Sequence, residues 1–230
     1  MIFNKDDYTI FDKLMKQSTK CPIGWVKIFS SELNLRQNKP DWSGSNLVVG
    51  RGREFVAQKC FQKNVYDGGV RADWRSYIIS HFGVGSGGSI VNGEDVTLNG
   101  PYICDTSLII PISLGNVAYL NDPSGYSSGD NIHEYTKAVK PIETGGSIYM
   151  ESEDYTGGGV DCVYYTKVKC TCVIDENEPS GLESGESVKL DEASLYFVNG
   201  NNVETFAHIC FPPKWKEKES KQIIVWYILF

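Results

Sequence analysis

The stretch SVKLDEASLYFVNGNNVETFAHICF, Ser187–Phe211, decides the fold because it contains two apolar, β-branched runs joined by Asn199-Gly200-Asn201-Asn202. An Asn-Gly pair between two apolar runs is typical of a tight β-hairpin, since glycine adopts the positive φ that such turns need. The stretch therefore predicts two antiparallel strands, Ser187–Val198 and Val203–Phe211.

The same alternation of apolar runs and turn residues extends through most of the chain. Turns are expected at Asn92-Gly93, Asn99-Gly100-Pro101 and Asn121-Asp122-Pro123. Strands that follow one another without helices between them favour a mainly β fold, an antiparallel sandwich or barrel. The further predicted strands are Tyr77–Phe82, Tyr102–Ile112, Ser147–Glu151, Gly159–Ile174 and Gln222–Phe230.

The first third of the chain has a different pattern, which predicts an N-terminal helical region and makes the class α+β. Apolar residues at helical spacing predict helices over Asn4–Thr19 and Leu47–Lys63. Trp25–Phe29 is expected to be a short strand and Asn38–Ser45 a loop. We expect residues 1–75 to form this helical region within the same domain as the antiparallel β part, residues 76–230.

Charge is distributed unevenly over the 230 residues. The net charge is −7, yet residues 1–80 carry 13 Lys and Arg against 8 Asp and Glu. One interpretation is chance on a solvated surface. The other is a basic face on one subunit that meets an acidic face on the next, since complementary charge fixes the register between partners. A nucleic-acid binder would be more basic overall, so no nucleic acid is expected as a partner.

The cysteines and the apolar runs indicate where the protein folds. Seven cysteines, an odd number, with no visible signal peptide indicate reduced thiols in a cytosol. No apolar run is long enough to span a membrane. With only three histidines, a zinc site lacks ligands, and we expect neither a metal nor a cofactor.

The stretch HFGVGSGGS, His81–Ser89, places Gly83, Gly85 and Gly88 at the spacing G-x-G-x-x-G. A dinucleotide loop needs a helix after the glycines, and a turn and strand pattern follows here instead. The glycines are better explained by positive φ or by the close approach of another backbone, which in an assembly could belong to a neighbouring subunit.

Three other patterns suggest activities that we weigh below the structural interpretation. Gly125-Tyr126-Ser127-Ser128-Gly129 matches G-x-S-x-G, with His208 as a possible base, but lacks the flanking strand and helix of a nucleophile elbow. Glu151, Glu153 and Asp154 could serve as paired carboxylates of a polysaccharide- or cell-wall-degrading enzyme. Exposed rings could bind carbohydrate by stacking; the candidates are Trp42, Tyr126, Tyr155, Tyr164 and Tyr165.

The segment QIIVWYILF, Gln222–Phe230, is the most apolar in the chain. Such a segment is expected to be a strand buried on both faces, because an open apolar edge would aggregate. It must pair inside the domain or with a partner. We weigh an ordinary core strand above pairing between subunits.

Two stretches, NLVVGRGREFVAQ (Asn46–Gln58) and RSYIISHFGVGSGG (Arg75–Gly88), resemble virion structural proteins of large contractile-tailed bacteriophages. The ending, Phe211-Pro-Pro followed by Ile223–Phe230, is similar in style. The resemblance covers about a third of the chain. It implies a virion component that is assembled in the cytoplasm of the bacterial host and has no catalytic residues.

The sequence therefore predicts a structural subunit of a bacteriophage particle, in the tail or baseplate, and not an enzyme. A neck, collar or head-tail connector component is the alternative position. Partners would be other virion proteins and copies of itself. The candidate subunit contacts are Arg51, Arg53, Arg71, Arg75, Gly83, Gly85, Gly88, Trp226, Tyr227 and Phe230.

Overall fold

The computed structural model describes residues 23–61, 65–66, 69–70, 73, 75–102, 107–115, 118–121, 136–143, 146–155, 163–179 and 181–229. The predicted helix Asn4–Thr19 lies outside these residues. Two helices are described, α1 (Glu32–Arg36) and α2 (Gly50–Phe61). The strands are β1 (Ile23–Phe29), β2 (Trp42–Val48), β3 (Val65–Tyr66), β4 (Gly69–Val70), β5 (Ile78–Gly85), β6 (Ser89–Asn92), β7 (Asp95–Leu98), β8 (Pro111–Ile112), β9 (Ala118–Asn121), β10 (Thr136–Pro141), β11 (Ser147–Tyr155), β12 (Val163–Ile174), β13 (Ser187–Asn199), β14 (Asn202–Glu217) and β15 (Gln222–Leu229).

Most strands belong to one curled antiparallel sheet shaped as a half-barrel, which confirms the predicted mainly β fold. The strand order is β11-β12-β15-β1-β2-β14-β13-β5-β10-β9, and β8 pairs with β5. Strands β1 and β2 lie in the middle of this sheet, so the first 75 residues contribute two central strands beside their helices. The predicted boundary at residue 75 falls within this one sheet.

The hairpin predicted around Asn199-Gly200 is confirmed. Strands β13 and β14 pair antiparallel up to Val198↔Val203 and Asn199↔Asn202. Gly200 at the turn has φ +57°, a conformation that favours glycine. The pairing of β13 with β14 is the longest in the sheet. Strand β13 also carries the two buried carboxylates described below.

The concave face of the sheet holds the main core. Helix α2 packs over it through Phe55, whose ring stacks on Phe197 at a centroid distance of 4.7 Å and meets Phe206 edge-on at 6.1 Å. Gly52 allows this close packing, because a Cβ there would lie 2.1 Å from the Phe206 carbonyl oxygen. The helix therefore begins at Gly50 and not at Leu47, and Leu47 and Val48 pair with β14 instead.

Strand β15 is buried on both faces, as predicted. Ile224, Trp226 and Ile228 belong to the main core, whereas Ile223 and Val225 pack with Phe29 on the convex face. Both edges of β15 are paired within the chain, with β1 on one side and β12 on the other. The segment is therefore a central strand of the domain.

Two predicted elements are wrong. Asn38–Ser45 was expected to be a loop, but β2 begins at Trp42 and pairs with β1. Tyr102–Ile112 was expected to be one strand, but among its described residues only Pro111 and Ile112 pair with a neighbouring strand. The reason is that Ile109 and Ile110 donate their N–H groups to a buried carboxylate and not to a strand.

Candidate functional site

The glycine motif lies at the end of β5 and at the start of β6, against two buried carboxylates. The register of β13 places Glu192 between Gly85 of β5 and Cys210 of β14. A register shift between Leu190 and Glu192 lets consecutive residues Asp191 and Glu192 both face the glycine segment. Both carboxylates are completely buried.

Asp191 accepts hydrogen bonds from the start of β6. Its Oδ1 accepts from the N–H of Gly88 at 2.8 Å, and its Oδ2 accepts from the N–H and hydroxyl of Ser89 at 3.0 and 2.6 Å. Lys189 Nζ lies 2.8 Å from the same Oδ2. The carboxylate is therefore both paired and hydrogen-bonded, as a buried charge requires.

Glu192 joins three chain segments. Its Oε1 accepts from the N–H groups of Gly87 at 3.0 Å and Ile110 at 2.8 Å, and its Oε2 accepts from that of Ile109 at 2.8 Å. His208 Nε2 lies 3.2 Å from Oε2. We call Asp191, Glu192 and the backbone of residues 87–89 and 109–110 the carboxylate clasp.

The carboxylate clasp explains the glycine spacing. A Cβ at Gly88 would lie 2.1 Å from the carbonyl oxygen of Asp191, and one at Gly85 would lie 2.5 Å from that of Ile110. At Gly83 a Cβ would lie 3.0 Å from the Tyr196 ring. The predicted close approach of another backbone is confirmed at Gly85 and Gly88, but that backbone belongs to the same chain. In a nucleotide site, consecutive backbone N–H groups of this kind bind phosphate. Here the N–H groups of residues 87–89 bind the carboxylates of the same chain.

The protonation of Glu192 is set by two opposing effects. Burial by itself raises the pKa of this carboxyl group, but the hydrogen bonds from His208, Ile109, Ile110 and Gly87 favour the charged form and outweigh it. The net result is a pKa below the ordinary value for glutamate. Glu192 is therefore a charged structural acceptor at neutral pH.

This lowered pKa predicts acid sensitivity. A carboxyl group whose pKa is lower in the folded state stabilises the fold above its unfolded pKa, about 4.3 for glutamate, and loses that contribution as the pH falls through the folded pKa. We expect the difference in unfolding free energy between the wild type and Glu192→Gln to be largest at neutral pH and to narrow under acid. Urea unfolding at a series of pH values measures it, and a difference that stays constant with pH would contradict the assignment.

His208 and Cys210 lie next to Glu192 but do not form a nucleophilic relay. The Cys210 Sγ and the Glu192 carboxylate both contact Nε2 of His208, at 3.9 and 3.2 Å. A relay needs the base to meet its nucleophile and its orienting acid through different ring nitrogens. All three side chains are also buried. His208 is thus a packed histidine, and Ser127 of the G-x-S-x-G match lies outside the described residues.

A second buried charge cluster lies where β10 approaches the end of β12. Lys140 Nζ contacts Glu178 Oε2 at 2.6 Å, Asp175 Oδ2 at 3.3 Å and the Val173 carbonyl oxygen at 3.0 Å. The acidic stretch 175–186 looks like a solvated loop in sequence, but Glu178 within it is buried. This cluster fixes the loop to the sheet.

Of the four predicted arginine contacts, the structure describes the side chains of Arg53 and Arg75. Arg75 binds Asp73 through two hydrogen bonds of 2.8 and 2.6 Å, which lower the pKa of Asp73 to about 2. Arg53 Nε donates to the Val48 carbonyl oxygen at 2.9 Å. Arg51 lies in α2 with no description of its side chain, and Arg71 lies outside the described residues, as does Phe230.

The aromatic residues of β15 have different positions. Trp226 is completely buried in the main core, so it has no surface to offer a neighbouring subunit in this fold. Tyr227 is partly buried against the convex-face cluster, and Lys27 Nζ lies 5.9 Å from its ring centroid. Trp226 therefore packs inside the chain, whereas the side chain of Tyr227 remains partly exposed.

The β6–β7 hairpin exposes an apolar surface that was not predicted from the sequence, although its turn was. Asn92-Gly93 forms its turn, with Gly93 at φ +65°, and every residue from Ile90 to Leu98 is exposed. The exposed apolar residues of this hairpin and of the neighbouring clasp segment are Ile90, Val91, Val96, Leu98, Ile109 and Ile110. The Asn-Gly turn between apolar residues was the signal available for this hairpin.

Within the described part of the chain, no helix is long and apolar enough to cross a membrane, and no group of three or more potential ligands is placed to hold a metal ion. Comparison with protein-family models, curated proteins and solved structures finds no match.

Proposed function

We propose that this chain is a structural subunit of a bacteriophage particle, in the tail or baseplate, with the neck or collar as the alternative position. The observation that carries the proposal is the β6–β7 hairpin. Its four apolar side chains, Ile90, Val91, Val96 and Leu98, are between 42% and 50% exposed. Val91, Val96 and Leu98 share one face of the hairpin, and Ile90 lies on the other face. Clustered exposed apolar surface of this kind marks contact sites with other proteins.

The hairpin is anchored at its base, which suits a contact element. An isolated two-stranded hairpin is marginally stable in water. Here the N–H groups of Gly88 and Ser89 fix its base by donating to Asp191, and the Asn99 N–H donates to the Gly88 carbonyl oxygen at 2.9 Å. A preorganised element loses less conformational entropy when it binds a neighbour.

The buried ionisable groups support a structural role over a catalytic one. The Asp191 and Glu192 carboxylates bind backbone N–H groups, and Lys140 binds Glu178 and a carbonyl oxygen. Among the candidate rings for carbohydrate binding, Trp42 is only partly available, because it is partly buried against the core and its ring lies 5.7 Å from that of Phe211. The resemblance of Asn46–Gln58 and Arg75–Gly88 to phage virion proteins is the reason for proposing a phage particle as the assembly.

Purification of the phage particles tests the proposal directly. We expect the chain to remain with the particles through a density gradient and to be present at a fixed ratio to the other virion proteins, measured by quantitative mass spectrometry. A chain found only in the soluble fraction of infected cells would overturn the proposal.

The hairpin makes a second prediction. We expect Val91→Glu combined with Val96→Glu to keep the fold, because both side chains are exposed, but to reduce incorporation into particles by at least about tenfold, since buried charge at a contact costs several kcal/mol. Circular dichroism checks the fold and mass spectrometry of particles checks incorporation. Leu33→Glu, at an apolar site on α1 that is 61% exposed, is the control. Normal incorporation of the hairpin variant would remove the hairpin as the contact.

A further inference from the structure

Strand β11 lies at one end of the large sheet, and one of its edges is open among the residues that the structure describes. Its nine residues, Ser147–Tyr155, pair along their whole length with β12. On the other side, no strand among the described residues pairs with it. Such an edge presents a row of backbone N–H and C=O groups that another strand can bind.

The apolar concave face of the sheet continues onto this edge and becomes exposed there. Trp226 of β15, Cys170 of β12 and Ile148 of β11 are neighbours in one row across the strands, and their exposed fractions are 0%, 1% and 44%. In the next row, Ile228 is buried at 0% whereas Met150 is exposed at 76%. In the described part of the chain, no strand therefore covers the core at β11.

The charge of β11 indicates what kind of strand fits. The strand carries Glu151, Glu153 and Asp154 and no Lys or Arg. On its paired side, β12 places Lys167 opposite Glu151 and Lys169 opposite Tyr149. Opposite charges on directly paired residues stabilise a sheet, and like charges destabilise it.

We propose that the open edge of β11 binds an extended basic segment of a neighbouring virion protein, which adds a strand to the sheet. This inference rests on the proposed structural role. The incoming segment has apolar residues opposite Ile148 and Met150 and Lys or Arg opposite Glu151 and Glu153. A second copy fits less well, because pairing β11 with itself would gather the carboxylates of Glu151, Glu153 and Asp154 from both copies in one two-stranded ribbon.

A labelled peptide of alternating valine and lysine, equal in length to β11, tests the inference on the purified full chain. We expect fluorescence anisotropy to show binding, and amide hydrogen exchange to show new protection in residues 147–155. The same peptide methylated on alternate backbone nitrogens keeps its charge but cannot pair as a strand, so it should not bind. A peptide of alternating valine and glutamate should not bind either.

Variants of the chain locate the site. We expect Glu151→Lys combined with Glu153→Lys to weaken peptide binding by about tenfold, since each cross-strand charge pair contributes up to about 1 kcal/mol. The matched control, Glu183→Lys with Glu186→Lys in the exposed turn before β13, should bind like the wild type.

The inference is overturned if the methylated peptide binds equally well, if protection appears outside β11, or if no peptide binds. It is also overturned if sedimentation shows a dimer of the chain that Met150→Lys dissociates, because the occupant would then be a second copy. Failure of this inference is separable from failure of the proposed function, which is measured by the presence of the chain in particles.

Discussion

Replacing Glu192 with alanine is expected to lower the free energy of unfolding by about 3–5 kcal/mol, the range for breaking a buried, hydrogen-bonded charge pair. The substitution removes the acceptor of the N–H groups of Gly87, Ile109 and Ile110. Each buried donor left without an acceptor costs about 1–3 kcal/mol, although partial relaxation of the loop lowers the total. Denaturant unfolding measures the loss.

The location of the damage distinguishes this mechanism from general loss of packing. We expect hydrogen exchange in Glu192→Ala to increase first at residues 87–89 and 109–110, since these segments are held by the carboxylate clasp. Glu176→Ala, at an exposed residue, should change stability by no more than about 0.5 kcal/mol. An unfolding free energy close to that of the wild type, with unchanged exchange in both segments, would mean that the carboxylate does not hold them.

Replacing Trp226 with alanine is the second large expected effect, a loss of about 3–5 kcal/mol, as for other fully buried Trp and Phe residues. Trp226 is completely buried on the concave face, between Val26 of β1 and Cys170 of β12. The substitution leaves a cavity in the main core. The rigid sheet on either side cannot close it, because both edges of β15 are paired.

Trp215 offers a matched control of the same residue type. It lies near the end of β14 with 65% of its surface exposed, so Trp215→Ala should change stability by no more than about 0.5 kcal/mol. The pair also tests the earlier interpretation of Trp226 as a subunit contact. If Trp226→Ala left the unfolding free energy unchanged while abolishing assembly, Trp226 would be an interface residue and the core position would be wrong.

Local chemistry was enough to predict the parts of the fold that depend on nearby residues. Asn199-Gly200 and Asn92-Gly93 each mark a tight turn with glycine at positive φ. The composition of Gln222–Phe230 predicted a strand buried on both faces. These features depend on a few neighbouring residues, so the sequence contains the whole signal.

The carboxylate clasp could not be predicted, because it joins segments about a hundred residues apart. Gly88 contacts Asp191, and Ile110 contacts Glu192. The available clue was that Asp191 and Glu192 are the only charged residues in the mostly apolar run from Leu190 to Val198 of a predicted strand. A charged pair at that place indicates a buried partner, but no local pattern indicates that the partner is backbone, or which backbone.

The central place of β15 has a consequence for biosynthesis. A ribosome makes β1 and β12 long before β15, yet β15 is the strand that joins them, with Ile23 paired to Leu229 across almost the whole sequence. Pairings so distant in sequence form slowly. Until they form, the edges of β1 and β12 that pair with β15 stay unpaired, and intermediates with unpaired strand edges are prone to aggregation.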